Sequence, residues 1–212
     1  MSGKFDVTVD ARGVARLTVA HDAKLNTLHP VLLDQAIAAL RDLARRDDLR
    51  AAVLTGEGER AFIGGADIGA MAALETPAEA EAFIRRIHSI CAAIRDLPVP
   101  VIAKVQGVAA AAGCQLVATC DLAVAAESAG FAIPGGKGAL FCHTPLVAVA
   151  RNLSRKRALE MAMTGDTIDA RTAADWGLVN RVVPDEQLVE ATLDLITRAT
   201  RGTESSKAAG KQ

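Results

Sequence analysis

Apolar and polar residues change rhythm several times along this chain, and each change marks an element. Lys4 to Val9 alternates, Gly13 interrupts, and Val14 to Val19 alternates again, which predicts a β-hairpin at the start. After the loop His21–Asn26, the residues Leu33, Ala36, Ile37, Leu40 and Leu43 recur at helical spacing, while Arg41, Asp42, Arg45 and Arg46 fall off that face. Pro30 to about Arg46 is therefore expected as an amphipathic helix. Ala51 to Thr55 reads as a short buried strand, and Gly64 to Ile68 as a turn leading into a short helical piece. Pro77 to Asp96 reads as a long helix with its proline in the first turn, stopped by Pro98 and Pro100.

The stretch Val101–Asp121, VIAKVQGVAAAAGCQLVATCD, organises the rest. It runs from an apolar strand, Val101 to Val105, through Gln106-Gly107 and a run of small residues into an apolar helix ending near Cys120-Asp121. A strand that turns through small residues into a helix leaves backbone N–H groups unpaired at the helix start, and such groups bind negative charge. The stretch is thus a candidate oxyanion site. Beyond it, Leu122 to Ala125 is expected as a strand and Phe131 to Leu140 is glycine-rich. Ser154 to Met163 has an N-cap residue and a stop at Gly165, and Asp169 to Trp176 is bracketed by Asp169 and Gly177. Leu178 to Val183 reads as a last strand, Pro184 to about Arg201 as helical, and Gly202 to Gln212 as a polar, mobile tail.

Composition narrows the function. The 212 residues fit one domain with a sizeable core, half of them are hydrophobic, and aromatics make up 3% with no Tyr at all. Base-stacking platforms for single-stranded nucleic acid therefore have little to work with. The net charge of −1, without a basic run, argues against nucleic acid and against a membrane surface. No apolar stretch is long enough to span a bilayer and the N-terminus lacks a leader pattern, so a cytoplasmic location is expected. Cys91, Cys114, Cys120 and Cys142 have no zinc-ribbon spacing and read as buried thiols, so no metal site is expected.

Two nucleotide motifs have to be weighed. Gly56-Glu57-Gly58-Glu59-Arg60-Ala61 follows a strand and matches the loose dinucleotide fingerprint, which would make the chain an NAD(P)-binding oxidoreductase. The context is wrong, because the fingerprint should open a helix and Phe62-Ile63-Gly64-Gly65 follows instead; a polar turn is the plainer reading. Lys137 lies in a glycine-rich stretch, but G-x-x-x-x-G-K-[ST] is absent, so no P-loop is expected.

Taken together, FIGGADIGAM, PVIAKVQGVAAAAGCQLVATCDLAVA and TGDTIDARTAADWGLVNRVVP resemble the enoyl-CoA hydratase/isomerase (crotonase) family, over nearly the whole chain from Leu25 to Val183. The stretch Phe141-Cys142-His143-Thr144-Pro145 with Arg151-Asn152 is most similar to the branch called enoyl-CoA hydratase domain-containing protein 3. The resemblance implies an α/β fold, a ClpP-like spiral of ββα units spanning 1–183, with 184–212 as the start of a C-terminal helical region that is truncated relative to the family. It implies an acyl-CoA thioester ligand, no separate cofactor, a lyase or isomerase role in fatty acid metabolism, and a homotrimer or hexamer where the C-terminal region is present. By motif matching, the oxyanion donors are the N–H groups of Ala66 and Ala112, the latter in place of the usual glycine. The CoA-binding segments map to Ala23-Lys24-Leu25 and Ala66-Asp67-Ile68, with Lys24 able to pair with a CoA phosphate.

The sequence also departs from the family pattern. Hydratases of the family use two glutamates to hold a water and move its protons, as addition across a double bond requires. Their positions here carry Gln115 and Gly135. An amide orients by hydrogen bonding but has no useful pKa, so classical hydration is not expected. His143, which the resemblance aligns with an aspartate used by other members, is the residue able to supply acid–base chemistry near neutrality. Cys142 is a weaker candidate nucleophile. A non-catalytic acyl-CoA-binding or interaction module of the same fold is the rival reading.

Overall fold

The computed structural model describes residues 3–138 and 140–211. The chain runs β1 (Lys4–Val9), β2 (Val14–Ala20), α1 (Pro30–Leu43), β3 (Ala51–Gly56), β4 (Ala61–Ile63), α2 (Ile68–Ala72), α3 (Pro77–Asp96), β5 (Val101–Val105), β6 (Val108–Ala110) and α4 (Ala112–Thr119). It continues through β7 (Leu122–Ala126), β8 (Gly130–Ala132), α5 (His143–Val149), α6 (Arg155–Thr164), β9 (Ile168–Asp169), α7 (Ala170–Trp176), β10 (Arg181–Val183), α8 (Leu188–Ala199) and α9 (Glu204–Lys211).

The strands build two sheets. A six-stranded sheet has the order β1-β2-β3-β5-β7-β10, and a four-stranded one has β4-β6-β8-β9. In the larger sheet β1 and β2 form the expected antiparallel hairpin, and the other neighbours are parallel. Three times the chain leaves the large sheet and enters the small one within a few residues: β3 to β4, β5 to β6, β7 to β8. A helical segment follows each pair. The result is the spiral of ββα turns that the resemblance implied.

Alternation within each strand divides the apolar residues between two cores. Leu17, Leu54, Ala103, Val105 and Ala125 face the main core, where the small sheet, α1, α3 and α4 meet them. Val53, Ile102, Val124 and Ala126 point the other way and are covered by Leu188 and Ile196 of α8. The predicted stripe of α1 is buried, with Leu33, Ala36, Ile37, Leu40 and Leu43 facing inward. In α3, Phe83, Ile87, Ile90 and Ile94 do the same, and burial of each such large side chain contributes about 2 kcal/mol.

The boundaries of α3 and β5 agree with the sequence reading to the residue. Three-residue strands β4, β6 and β8 were not expected, because they are too short to show an alternation; α5 was not expected either. Ser154 occupies the N-cap of α6 but makes no side-chain cap bond, whereas Asp169 caps α7 by accepting from the Thr172 N–H at 2.7 Å. The expected mobile tail is instead the helix α9, whose Lys211 Nζ donates to the carbonyls of Ile94 and Val99 and pairs with Asp121 at 2.8 Å. A cation at the end of α9 thus satisfies carbonyls freed where Pro98 and Pro100 end the helical ladder of α3. Gln212, the last residue of the expected tail, lies outside the described residues.

The dinucleotide reading fails on structure. Gly56 to Ala61 leads from β3 straight into β4 with no helix opening, and its carbonyls face inward. Gln106 Nε2 donates to Gly56, Gly58 and Ala61 oxygens at 2.9, 3.2 and 3.0 Å, and Asn26 Nδ2 donates to Glu57 and Ala61 oxygens at 2.9 Å each. A turn that presents carbonyl oxygens to amide donors has the wrong polarity for a pyrophosphate.

Candidate active site

Two backbone turns meet beside the start of α4. One passes through Gly65, φ +114°, into Ala66; the other passes through Ala111, φ +48°, into Ala112. A positive φ reverses the chain sharply, which glycine adopts freely and alanine only under strain. The turns press together. A methyl built on Gly65 would lie 3.1 Å from the Ala110 carbonyl oxygen and 3.2 Å from the Ala111 Cβ. On the far side, α4 lies against β4 so closely that a methyl on Gly113 would overlap the Ile63 carbonyl oxygen.

The flanking hydrogen bonds fix both turns. Leu28 N–H donates to Gly65 O at 2.8 Å and Asp67 N–H donates to Leu28 O at 3.1 Å, which brackets Ala66. Ala111 N–H donates to Ala132 O at 2.9 Å, and Gln115 N–H donates to Ala111 O at 3.0 Å. Among the described residues the N–H groups of Ala66 and Ala112 have no backbone acceptor. Ala112 is the first helical residue of α4, where an orphan N–H carries the positive end of the helix dipole.

Gln115 and Thr144 were separated by 29 positions in sequence, and the fold joins them. Gln115 is 4% exposed, and its Oε1 accepts from Thr144 Oγ1 at 3.2 Å. Thr144 joins the candidate site through this bond, and the sequence reading missed it because only the packing of α5 on α4 brings it there. His143 precedes it at the start of α5 and is exposed; its ring meets Phe141 edge-on at 5.0 Å. Among the described residues no carboxylate orients that imidazole.

Gly135, the position that the resemblance assigns to a second glutamate, has no room for a side chain. A methyl there would overlap the Leu140 carbonyl oxygen and lie 2.5 Å from the Cys142 nitrogen and 2.8 Å from its Sγ. Cys142 is half-buried, and burial raises its thiol above the ordinary range, which lowers its value as a nucleophile. Cys91, Cys114 and Cys120 are buried as expected, and desolvation pushes the Cys114 thiol up to about 12. Among the described residues, no three His, Cys, Asp or Glu side chains converge as metal ligands.

The two segments assigned to CoA lie side by side. Gly64 N–H donates to Leu25 O at 2.8 Å, and Lys24 Nζ reaches Asp67 Oδ2 at 3.4 Å. Leu25 and Asn26 both take left-handed backbone, and buried Asn26 clasps the loop to the Glu57–Ala61 turn. Asp67 also caps α2 by accepting from the Ala70 N–H at 2.9 Å. That bond, with Lys24 adding to it, holds the carboxyl below the ordinary aspartate range. Ala23 and Ile68 stand at the surface of the same pair of loops, Ile68 being 80% exposed.

Comparison with known proteins fits this arrangement. The sequence model of the family described as enoyl-CoA hydratase/isomerase matches residues 10–212. The chain belongs to that family. Mouse enoyl-CoA hydratase domain-containing protein 3, mitochondrial, is 36% identical over 203 residues, which cover 94% of this chain and 66% of the relative. The chain therefore spans about two thirds of the length of that relative. A crystal structure of an enoyl-CoA hydratase from Mycobacterium smegmatis superposes with a TM-score of 0.95 at 40% identity, covering 98% of this chain and 80% of the other. The structure of human enoyl-CoA hydratase domain-containing protein 3 superposes at 0.92 with 35% identity, covering 98% and 81%. Membership in the enoyl-CoA hydratase/isomerase family leaves the reaction open.

Proposed function

We propose that this protein binds acyl-CoA thioesters and stabilises the enolate formed when a proton leaves the carbon beside the thioester carbonyl. The electron pair of the broken C–H bond moves onto the carbonyl oxygen, which the N–H groups of Ala66 and Ala112 hold. One such fixed donor is worth roughly 3 kcal/mol in the transition state. What carries the reading is the pair of turns pressed together with both N–H groups left without a backbone acceptor among the described residues. The donors belong to the main chain, so alanine at position 112 keeps the donor and adds a methyl that narrows the pocket.

In this reading, Gln115, held by Thr144, orients the thioester or a water, and His143 takes and returns the proton. Ala23, Lys24, Leu25, Asp67 and Ile68 hold the CoA portion, with Lys24 exchanging its Asp67 partner for a phosphate. Hydration is not part of it, since Gln115 is an amide and Gly135 is walled in by the Leu140–Cys142 backbone. Assembly as a homotrimer or hexamer and a cytoplasmic location belong to the same proposal; the mitochondrial address is that of the vertebrate relatives. Among the described residues no helix is long and apolar enough to cross a membrane.

The test is incubation with enoyl-, dienoyl- and acyl-CoA esters in deuterated water. Exchange of the proton beside the thioester is expected, and His143→Ala should slow it about a hundredfold. An unchanged rate in that variant removes His143 from the mechanism. Measurable binding with no exchange for any ester favours the second reading, a non-catalytic acyl-CoA-binding module, which the missing carboxylates support.

A further inference from the structure

On the face of the large sheet that α8 only partly covers, an open cavity of about 270 Å³ lies between β1, β2, β3 and β5 and the helix. This volume lies just below the roughly 300 Å³ at which drug-sized ligand pockets begin, so it suits a small ligand. Its walls are apolar, formed by Val14, Val53, Leu193 and Ile196, and Arg16 and Lys104 border it.

Lys104 is out of place by ordinary rules. It belongs to β5, an interior strand, and the residues pointing the same way beside it include Ile102, Val53 and Val124 of the second apolar core. A fully buried lysine almost always has a partner, and Lys104 is half-buried among these apolar groups. Lys104 and Arg16 have no ion-pair partner among the described residues. The acid bordering the cavity, Asp10, is already committed: it accepts from Arg12 Nε and Nη2 at 3.0 and 2.8 Å and from the Arg12 and Val14 N–H groups at 2.9 and 3.0 Å. Burial first, and then the Arg16 charge, hold the Lys104 amine below its ordinary range. Two like charges beside an apolar floor, with the bordering carboxylate of Asp10 already paired to Arg12, are relieved by an anion that brings its own apolar tail.

We propose that this cavity is a second ligand site, separate from the thioester site, for a monocarboxylate with a short to medium alkyl chain. The carboxylate meets Lys104 and Arg16, and the tail lies along Val53, Leu193 and Ile196. Lys104 and Val53 point away from the main core that α4 and the two turns enclose, so the proposal does not depend on the thioester reading.

Octanoate below its micelle concentration is the probe, measured by calorimetry against octanol and inorganic phosphate. Saturable binding of octanoate is expected, at least tenfold tighter than either control. Lys104→Met, close in volume, and Arg16→Gln should each weaken it tenfold or more, while Lys104→Arg should keep it. Reductive ¹³C-methylation with NMR detection gives a readout that needs no variant: octanoate should raise the titration midpoint of Lys104. Equal binding by wild type and Lys104→Met, phosphate binding as tightly as octanoate, no saturation, or an unmoved Lys104 midpoint would each overturn the proposal.

Discussion

The two sides of the candidate site are built on different principles. On one side, the turns at Gly65-Ala66 and Ala111-Ala112 present main-chain N–H groups, and the turns are held by hydrogen bonds donated by the Leu28 and Gln115 N–H groups and by the Ala111 N–H to the Ala132 carbonyl oxygen. On the other, the segment from Gly135 to Thr144 would have to supply side-chain chemistry, and there a glycine is enclosed by the Leu140 and Cys142 backbone. Backbone donors come with the fold and survive changes of side chain, so Ala112 can stand where a glycine is usual. A proton-moving carboxylate has no such protection, because a single substitution removes it and the neighbouring loop can then close on the space. On the proposed function, the contrast is how a chain would keep an architecture for binding a thioester without the groups for hydrating it.

Breaking the backbone side should have the largest effect. Gly113→Ala forces a methyl against the Ile63 carbonyl oxygen, so α4 has to move off β4 and carry the Ala112 N–H with it. A cost of about 3 kcal/mol is expected, together with loss of acyl-CoA binding. Urea unfolding and calorimetry check both, and a stable variant with unchanged binding would show that the position of α4 does not matter.

The side-chain side is sharpened by an attempt to restore it. Gly135→Glu should cost about 2 kcal/mol, because the new side chain displaces the Leu140–Cys142 backbone, and should yield no hydration of enoyl-CoA even combined with Gln115→Glu. Appearance of hydratase activity in the double variant would mean that only the two carboxylates were missing. The smallest effect concerns the clasp beside Ala66. Asp67→Ala removes the cap of α2 and the Lys24 pair, costing about 1 kcal/mol at pH 7. Because the folded pKa is depressed, this contribution is complete above the ordinary aspartate value near 3.9 and is lost as pH falls from there through the lower folded value. The gap between wild type and variant should therefore close in acid; a gap independent of pH would assign it to packing.

Much of this molecule was legible in the chain itself. Alternation marked the β1–β2 hairpin, a helical stripe marked α1, bounding prolines marked α3, and the strand-to-helix turn of Val101–Asp121 was readable from its apolar strand and run of small residues. Those features are local, decided by dihedral preference and by which face of an element is apolar. The tertiary structure decided the rest. The strands β4, β6 and β8 exist because a neighbouring strand supplies their hydrogen bonds, not because three residues prefer to extend. Thr144 reaches Gln115 and Lys24 reaches Asp67 through contacts between segments far apart in sequence, and Gly135 is closed off by the way its own loop folds back at Leu140 and Cys142. Lys104 read as one polar residue in an apolar strand, and only the sheet, with α8 across one face and Asp10 already committed to Arg12, left its charge unanswered. Local sequence determines the long, strongly patterned elements and the atoms they carry; the short strands, and whether two such atoms meet, depend on long-range packing, which no local pattern encodes.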